Sequence, residues 1–549
     1  MRDRRKIQVF LAFLLLVSFA QSKAQQKPNI VVLFADDISA REIPIYGSKV
    51  WSRPIKGGDE GRKQNINTSN PKFRAQTPNM DKLAQEGCFI ETTFAATICG
   101  PSRAMMMTGR YAHLHKWWHN KDKGKNPKGK REWNLFDSSP HTISHVAKKG
   151  GYDTYWAGKT QMETKGFQFD EGCFTAPKAA YNKRIHTTDF MVYSKKVDGK
   201  KKLFNGDTDK ELGFRSYVQA SWFWKPHIQL LNHPNNTEEL QWWPYSKEDK
   251  KAFGLNTYSP DVVLDHIFDF MERKTKKKKP FFIYHTSNLG HDAFDYFHPE
   301  SNNKWPGTPK IKWDGKKYTR TKTNITGDNG VYDTHNTITG QGIHNHINYL
   351  DYQVWQYMNK FKELGIENNT IFIFCADNAT SGYGKSSSVS QKGVHVPLII
   401  YAPVLNMTKK GKQKVIANIS DILPTIADVA GVEIPKDYEI NGESLIPFLT
   451  TKKTTHRNWI YGYHKDKTII RGDLVLKGGN GKWYDVSKTP DDLISYPIIT
   501  DWKSVSDAHR KQRDELKKVL PKYDLHATEH DAPKGGYGEV KKLEIKGNR

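Results

Sequence analysis

Asn29-Ile30-Val31-Val32-Leu33-Phe34-Ala35 is the stretch of this chain that predicts its fold. A nearly continuous apolar run of this length fits a strand that is buried on both faces, as in parallel sheets covered by helices. Two carboxylates, Asp36 and Asp37, follow directly. The stretch therefore predicts one strand of a buried sheet, with acidic side chains at its carboxyl end.

Four later apolar segments have the same character: 152–157, 280–285, 370–376 and 396–402. Helical patterns, such as 261–272, 344–364 and 420–430, lie between or after them, and this alternation is typical of α/β folds. Ser420 suits the N-cap of the last of these helices. Short strand patterns at 459–463, 468–476 and 482–486 and a final helix near 501–520 follow Pro435. We predict an α/β fold in which helices sandwich a mostly parallel central sheet, with a smaller C-terminal α+β subdomain.

The amino terminus has the pattern of a signal peptide. A basic start precedes a short apolar run at 9–19, and Ser22-Lys23-Ala24 offers a cleavage site between small residues. The run is too short to span a bilayer comfortably. We therefore predict a signal peptide at 1–24, a catalytic domain at 25–435, and a C-terminal subdomain with a basic tail at 436–549. The mature protein is expected in the periplasm or outside the cell, without a membrane anchor.

The chain is strongly basic, with a formal net charge of +26. The first 24 residues carry five basic side chains and one acidic one, so +22 lies on the remainder. Such an excess attracts polyanions, and an exported protein meets anionic polysaccharide more often than nucleic acid. Plain solubility is the alternative. The tryptophans at 117–118, 222, 224 and 242–243 suit either sugar stacking or packing.

Polar side chains follow four of the predicted strands: Asp36 and Asp37; Lys159; His291; and Asp377 with Asn378. Ligands of open α/β sheets bind beyond the carboxyl ends of the strands, so we expect these groups to converge. Carboxylate and amide oxygens suit Ca²⁺ or Mg²⁺ better than zinc. A simple turn after the strand is the alternative for either acidic pair alone.

Cys99 precedes a predicted helix at 102–108, and Pro101 suits its first turn. The helix would direct its N-terminal amides at an anion, and Arg103 adds a fork of donors. The segment therefore predicts a site for a sulfate or phosphate group. For an isolated cysteine, a small buried residue is the alternative.

The run Cys99-Gly100-Pro101-Ser102-Arg103, with Thr108-Gly109-Arg110 after it, resembles the C-x-P-S-R…T-G-R signature of the type I, formylglycine-dependent sulfatases of the alkaline phosphatase superfamily. The signature is specific, because a modifying enzyme must read it to oxidise the cysteine. The resemblance covers nearly all of the mature chain. Within the family, the chain resembles the bacterial polysaccharide sulfatases. Its other marks lie at 29–37, 77–84, 151–159, 370–378, 396–399, 441–445 and 484–486.

The resemblance implies a metal site and a modified nucleophile. Asp36, Asp37, Asp377 and Asn378 would bind Ca²⁺, or Mg²⁺ in its place, together with Cys99. Cys99 itself would be oxidised to formylglycine (3-oxoalanine), whose hydrated form attacks sulfur. A formylglycine-generating or equivalent maturation enzyme is therefore an implied partner.

The resemblance also assigns the remaining catalytic side chains. Arg103, Lys159 and Lys385 would hold the sulfate oxygens and offset their charge. His291 would help to bind sulfate and would protonate the departing alkoxide. Lys392 is the alternative to Lys385, because the motif around them departs from the family pattern.

A second departure lies at Gln161, where the family usually has a histidine that contacts the formylglycine diol. Glutamine cannot accept a proton at neutral pH. His113, His115 and His119 are the alternative bases, and His115 is also a candidate for substrate binding.

The predicted function is a sulfuric ester hydrolase that acts on a sulfated carbohydrate, such as ulvan, carrageenan or a glycosaminoglycan. A phosphoester hydrolase of the same superfamily is the nearest alternative. An inert polyanion-binding protein is the alternative from another class, and nucleic-acid binding is the least favoured.

Overall fold

The computed structural model describes residues 27–54, 66–120, 135–162, 168–175, 192–205, 209, 211–212, 222–223, 228–245, 258–291, 293, 308–320, 339–340 and 342–523. The predicted signal peptide at 1–24 and the basic tail after residue 523 lie outside these residues. Among the helices of the described part, none combines the length and the apolar character that a bilayer crossing requires.

The strands, numbered in chain order, are β1 (Asn29–Ala35), β2 (Trp51–Ser52), β3 (Asn67–Thr68), β4 (Cys88–Phe94), β5 (Asp153–Lys159), β6 (Glu171–Thr175), β7 (Val192–Val197), β8 (Lys200–Asn205), β9 (Glu211–Leu212), β10 (Ile228–Leu231), β11 (Leu240–Trp243), β12 (Phe281–Thr286), β13 (Thr308–Pro309), β14 (Ile311–Trp313), β15 (Tyr318–Arg320), β16 (Thr339–Gly340), β17 (Thr370–Ala376), β18 (His395–Val396), β19 (Leu398–Tyr401), β20 (Gly411–Asn418), β21 (Ile460–His464), β22 (Lys467–Arg471), β23 (Val475–Lys477) and β24 (Trp483–Asp485).

The α-helices, numbered in the same way, are α1 (Pro78–Glu86), α2 (Cys99–Thr108), α3 (Ala112–His115), α4 (Leu135–Ser138), α5 (Ile143–Lys149), α6 (Ser259–Lys276), α7 (Ile343–Glu363), α8 (Ile422–Ala430), α9 (Ile446–Thr450) and α10 (Asp507–Tyr523).

A central sheet of eleven strands organises the molecule, in the order β11-β10-β6-β5-β12-β1-β17-β19-β4-β18, with β20 beside β4. The five strands from β6 to β17 are parallel to one another. The strand β1 is buried along its whole length, as its apolar sequence predicts. The helix α6 packs on β5, β6 and β12, and α1 packs on β4 and β19. The predicted α/β fold, with helices flanking a large and mostly parallel sheet, is confirmed.

The register of the sheet brings distant residues to one edge. Ala35 of β1 lies opposite Ala376 of β17, so Asp36 and Asp377 leave the sheet side by side. The Asp377 N–H donates to the Ala35 carbonyl at 3.1 Å. On the other side of β1, the strands β12 and β5 end together at the same edge. Four strand ends therefore deliver their following residues to one place.

Some boundaries differ from those that the sequence predicts. The segment 396–402 is divided at Pro397 into β18 and β19, since proline cannot donate to a sheet. The segment 468–476 forms two strands, β22 and β23. The helical segment at 420–430 is capped by Asn418 rather than Ser420, because Asn418 and Asp421 form a reciprocal capping box.

A separate antiparallel sheet forms near the carboxyl terminus from β21 to β24. The helix α10 packs on β22 and β23, and Ile470, Val475, Leu516 and Leu520 form the apolar cluster between them. This unit has the α+β composition expected of the smaller subdomain. Its boundary at 435–436 stays a prediction.

Candidate active site

Three carboxylates meet at the carboxyl edge of the central sheet. Asp36 and Asp37 follow β1, Asp377 follows β17, and all three side chains are fully buried. The Asp37 N–H donates to Asp377 Oδ1 at 3.0 Å. One carboxylate oxygen of each of the three aspartates and the Cys99 Sγ all lie within 4.8 Å of one another. The structure thus brings together Asp37 and Asp377, which are 340 residues apart in sequence.

Cys99 is the first residue of α2 and is 1% exposed. The helix begins three residues before the predicted start, because Pro101 fits within its first turn. The Cys99 Sγ lies 3.6 Å from Asp36 Oδ1 and 3.7 Å from Asp37 Oδ1. Burial, with a contribution from Asp377, raises the pKa of the thiol well above its ordinary value. Since the thiolate is the reactive form, the encoded cysteine is a weak nucleophile in this place.

Two cations, one on α2 and one at the end of β5, contact the carboxylates. Arg103 lies one turn beyond Cys99, with its Nη2 at 2.8 Å from Asp377 Oδ2 and 3.5 Å from Asp36 Oδ2. Lys159, the last residue of β5, forms an ion pair with Asp36 Oδ2. Although burial alone acts to raise the pKa of Asp36, these cations hold it well below its usual range. Asp36 is therefore ionised.

Lys385 supplies a third cation, and Lys392 does not. The Lys385 Nζ lies 2.6 Å from Asp37 Oδ2. Burial alone would lower the pKa of Lys385, but Asp37 raises it well above its usual value. The Lys392 ammonium instead lies over the ring of Tyr383, at 4.6 Å from its centroid. Of the two alternatives, the structure brings Lys385 to the carboxylates.

His291 reaches the site because a glycine precedes it. Gly290 has a φ of +104°, and a Cβ there would lie 1.8 Å from the Asp36 carbonyl oxygen. Only glycine permits this close approach. The His291 N–H donates to the Asn288 carbonyl at 3.2 Å. A ring nitrogen of His291 lies within 4.8 Å of both Cys99 Sγ and a carboxylate oxygen of Asp36.

The donor set of the site fits a hard divalent cation. The Asn378 Nδ2 donates a hydrogen bond to Asp37 Oδ1 at 2.7 Å. This leaves the amide oxygen of Asn378 as its atom for binding a metal ion. That buried oxygen accepts no hydrogen bond from the described residues. Three carboxylates and an amide oxygen are ligands that Ca²⁺ and Mg²⁺ prefer. Burial and the neighbouring Asp36 raise the pKa of Asp377, the sign of an anionic cluster that a cation would stabilise.

His115 is the last residue of α3 and is buried in the core. Its Nδ1 accepts from the Trp117 N–H at 3.0 Å, and its Nε2 lies 3.3 Å from the Tyr463 hydroxyl. Burial lowers the pKa of His115 well below its usual value, and lowers that of His113 to about 3. Both imidazoles are therefore neutral, and the role of His115 in substrate binding stays a prediction.

Gln161 is half-buried and has a φ of +51°. Among the alternative bases, His119 packs edge-on against His464 with ring centroids 5.9 Å apart. The His464 Nδ1 lies 2.6 Å from the Thr97 hydroxyl, two residues before Cys99. The C-terminal unit therefore contributes a histidine to the segment that leads into Cys99, which sequence reasoning did not single out.

Two more residues contact the site: Asn120 was missed from the sequence, and Trp222 was predicted only to stack on sugar or to pack. Asn120 Oδ1 accepts from the Gly100 N–H at 2.8 Å and so satisfies the amino end of α2. Trp222 packs against His291 and Lys159. Neither residue belongs to a motif, because each contact depends on how loops return to the sheet.

The tryptophans offered above as sugar platforms are mostly buried, which supports packing. Trp224 lies outside the described residues. Those that are less than a tenth exposed are Trp117, Trp118, Trp222 and Trp243.

Comparison with known proteins shows where this arrangement belongs. The sequence model of the Sulfatase family matches residues 28–432, about three quarters of the chain. The chain belongs to the sulfatase family. The resemblance drawn from the Cys99 motif is thereby confirmed, and the protein is a sulfuric ester hydrolase.

Relatives of this sulfatase cover most of its length at low identity. An arylsulfatase of Clostridium perfringens is 23% identical over 94% of this chain and 97% of its own. An N-acetylglucosamine-6-O-sulfatase of Bacteroides thetaiotaomicron is 23% identical over 82% of this chain and 76% of its own. The crystal structure of the PsFucS1 sulfatase from Pseudoalteromonas sp. matches with a TM-score of 0.57 at 17% identity, covering 92% of this chain and 93% of that one. This last likeness supports the fold.

Proposed function

We propose that this sulfatase removes sulfate from an anionic polysaccharide or its oligosaccharides, through a formylglycine made from Cys99. The observation that carries the proposal is the meeting of Cys99 with three carboxylates and three cations in one buried cluster. Anionic oxygens of a sulfate ester suit such cations. We also propose that the chain is exported, as its amino-terminal pattern predicts.

Modification of Cys99 agrees with its surroundings. A buried thiol beside carboxylates does not ionise readily, so an oxygen nucleophile suits the place better. Formylglycine supplies, as its hydrate, one hydroxyl that attacks sulfur and a second that expels sulfate and restores the aldehyde. A serine in this position would end as a stable sulfate ester.

Asp36, Asp37, Asp377 and Asn378 would hold Ca²⁺, with residue 99. The bound ion supplies positive charge that favours ionisation of a nearby hydroxyl and offsets charge on the sulfate oxygens. These carboxylates are held in place without it, since each contacts a cation or a backbone N–H of the cluster.

Arg103, Lys159 and Lys385 would bind the sulfate oxygens and stabilise charge that develops during transfer. All three are nearly or largely buried, so water screens them little. His291 would donate a proton to the oxygen of the departing sugar, since it reaches Cys99 from the β12 side of the sheet. The base for the final step stays open between the His119–His464 pair and water held by Gln161.

The substrate class has support from the segment 176–227. β6 ends at Thr175, which pairs with both Lys159 and Ile228, so the segment leaves and re-enters the sheet beside the site. It contains the hairpin of β7 and β8, where Lys195 lies opposite Lys202 and Lys196 opposite Lys201. Lys195 is paired with Asp209 and Lys202 with Glu211, whereas the exposed Lys196 and Lys200 add positive charge that would attract an anionic polymer.

Charge reversal on this hairpin should weaken polymer binding selectively. Lys196 and Lys200 are exposed, so the double variant Lys196→Glu/Lys200→Glu should fold normally. We expect KM for a sulfated polysaccharide to rise about tenfold at low salt, and KM for 4-nitrophenyl sulfate to stay unchanged. Ulvan, carrageenan and heparan sulfate would be compared first, and the best substrate used.

The matched control is Lys278→Glu/Lys279→Glu. These exposed lysines precede β12 and so lie at the amino edge of the sheet, opposite the site. Equal changes of KM in both double variants would show a general charge effect and contradict a role for the hairpin.

The choice of sulfate over phosphate is tested with 4-nitrophenyl sulfate and 4-nitrophenyl phosphate, assayed with protein coexpressed with a maturation enzyme. We expect kcat/KM for the sulfate ester to be higher by at least about 100-fold, because the chain belongs to the sulfatase family and its site should be complementary to the transition state of sulfate transfer. Faster phosphate turnover would overturn the proposal. Binding of sulfated polymer without turnover of either ester would favour the inert polyanion-binding alternative.

A further inference from the structure

Trp222 contacts two functional side chains of the site, His291 and Lys159. Its ring lies 4.6 Å from the ring of His291, centroid to centroid, with the planes at 78°. The Lys159 ammonium lies 4.9 Å from the centroid of the Trp222 ring. Trp222 is 7% exposed, so this is a buried contact and not a surface platform.

We propose that Trp222 is a positioning residue that holds the His291 imidazole for proton donation to the departing sugar oxygen. The inference rests on the proposed function, in which His291 is the proton donor. Trp222 touches neither Cys99 nor a carboxylate in any contact described above, so its effect passes through its two neighbours.

The orientation of the His291 ring depends on the side chains around it. His291 lies beyond the end of β12, after a glycine in the left-handed region, and its backbone N–H donates to the Asn288 carbonyl. A histidine side chain rotates about two bonds, so its contacts with neighbours select the orientation of the ring. A near-perpendicular aromatic contact is a preferred geometry and selects one of them.

The same indole also fixes Lys159 relative to His291. An ammonium within about 6 Å of a tryptophan ring is attracted to it, and Lys159 additionally pairs with Asp36. One side chain thereby spaces a sulfate-binding cation from the proton donor. Trp222 belongs to the segment 176–227, which returns to the sheet beside Lys159. This return places the indole of Trp222 at the site.

A positioning role predicts a particular dependence on the leaving group. Protonation matters greatly for a sugar alkoxide and little for 4-nitrophenolate, which leaves as a stable anion. Loss of Trp222 should therefore slow esters with poor leaving groups far more than 4-nitrophenyl sulfate. Loss of a purely structural residue would lower the amount of active enzyme and would slow all esters equally.

The experiment compares Trp222→Ala and Trp222→Phe with wild type on 4-nitrophenyl sulfate, 4-methoxyphenyl sulfate and a 6-O-sulfated sugar. For Trp222→Ala we expect kcat to fall about 100-fold on the sugar and less than about fivefold on 4-nitrophenyl sulfate, with KM nearly constant. Trp222→Phe keeps an aromatic contact and should recover most of the loss. If the alanine variant does not fold, Trp222→Leu, which keeps apolar bulk but removes the aromatic ring, replaces it, and the same comparison of kcat on the sugar with kcat on 4-nitrophenyl sulfate is made.

A double variant separates action through His291 from other routes. His291→Ala should show the same leaving-group profile, and Trp222→Ala in that background should cost less than about threefold more, because coupled residues are not additive. Trp459→Ala is the control for lost aromatic packing, since Trp459 packs on Tyr111 and Tyr523. It should lower Tm without changing the ratio of rates.

A uniform loss on all esters, no loss, or an additive loss in the double variant would each overturn the inference. These outcomes differ from failure of the proposed function. In that case the wild type, with formylglycine verified at residue 99, would hydrolyse no sulfate ester at all.

Discussion

Cys99→Ala is expected to lower kcat for sulfate esters by at least about 10⁴-fold, the scale of losing a covalent nucleophile. Alanine cannot be oxidised to an aldehyde, and no other described nucleophile takes its place between Asp36 and Asp37. The loss is measured with 4-nitrophenyl sulfate. Mass spectrometry of the peptide that contains residue 99 should show, in wild type, the smaller mass of an aldehyde in place of a thiol.

Cys88→Ala provides the matched control, because Cys88 is equally buried and lies on β4. Both variants replace one small buried side chain by alanine, so their Tm values should be similar while only Cys99→Ala loses turnover. Full activity in Cys99→Ala, or an unmodified thiol in an active wild type, would contradict the formylglycine mechanism.

Asp37→Asn should abolish both the calcium response and most of the activity. Asp37 has a φ of +56°, a conformation that asparagine also tolerates, so the backbone should persist. The change removes one ligand charge and unpairs Lys385. We expect kcat/KM to fall by about 10³-fold or more, since both charge stabilisation and metal binding suffer.

The second readout is thermal unfolding with EGTA or excess Ca²⁺. In wild type, Ca²⁺ at a hundred times its Kd should stabilise the fold by about 2.7 kcal/mol, and in Asp37→Asn this gain should vanish. Asp351→Asn is the control, because buried Asp351 caps α1 through Asn79 and Met80. It should lower Tm and keep the calcium response. A wild type indifferent to both EGTA and Ca²⁺ would contradict the cation site.

The sequence predicted the parts of the fold that follow from local patterns. Runs of apolar residues marked β1 and β17, and the rule that ligands bind beyond strand ends placed Asp36 near Asp377. The boundaries failed where two signals compete, as at Asn418 and Ser420, which are both good caps. The reciprocal bond with Asp421 decides between them, and it is visible only in three dimensions.

The site was predicted in outline because its charged members lie in motifs. Lys385 and Lys392 were left open, since spacing alone cannot tell which ammonium faces Asp37. Asn120 was missed, and Trp222 was predicted only to stack on sugar or to pack, for a related reason. Their contacts with Gly100 and His291 depend on the return path of long segments, for which no periodic pattern exists.

The pairing of β1 with β17 also sets the order in which the site can form while the chain is synthesised and folds. Asp37 and Asp377 are 340 residues apart, so Cys99 leaves the ribosome long before β17 and Asp377 have been synthesised. Contacts of such long range form late, after the ends of a large loop have met. An oxidising enzyme would have its opportunity in that interval. Once β17 has docked, the side chain of Cys99 is buried, so under the proposed mechanism a chain not modified before that point would stay inactive until it unfolds.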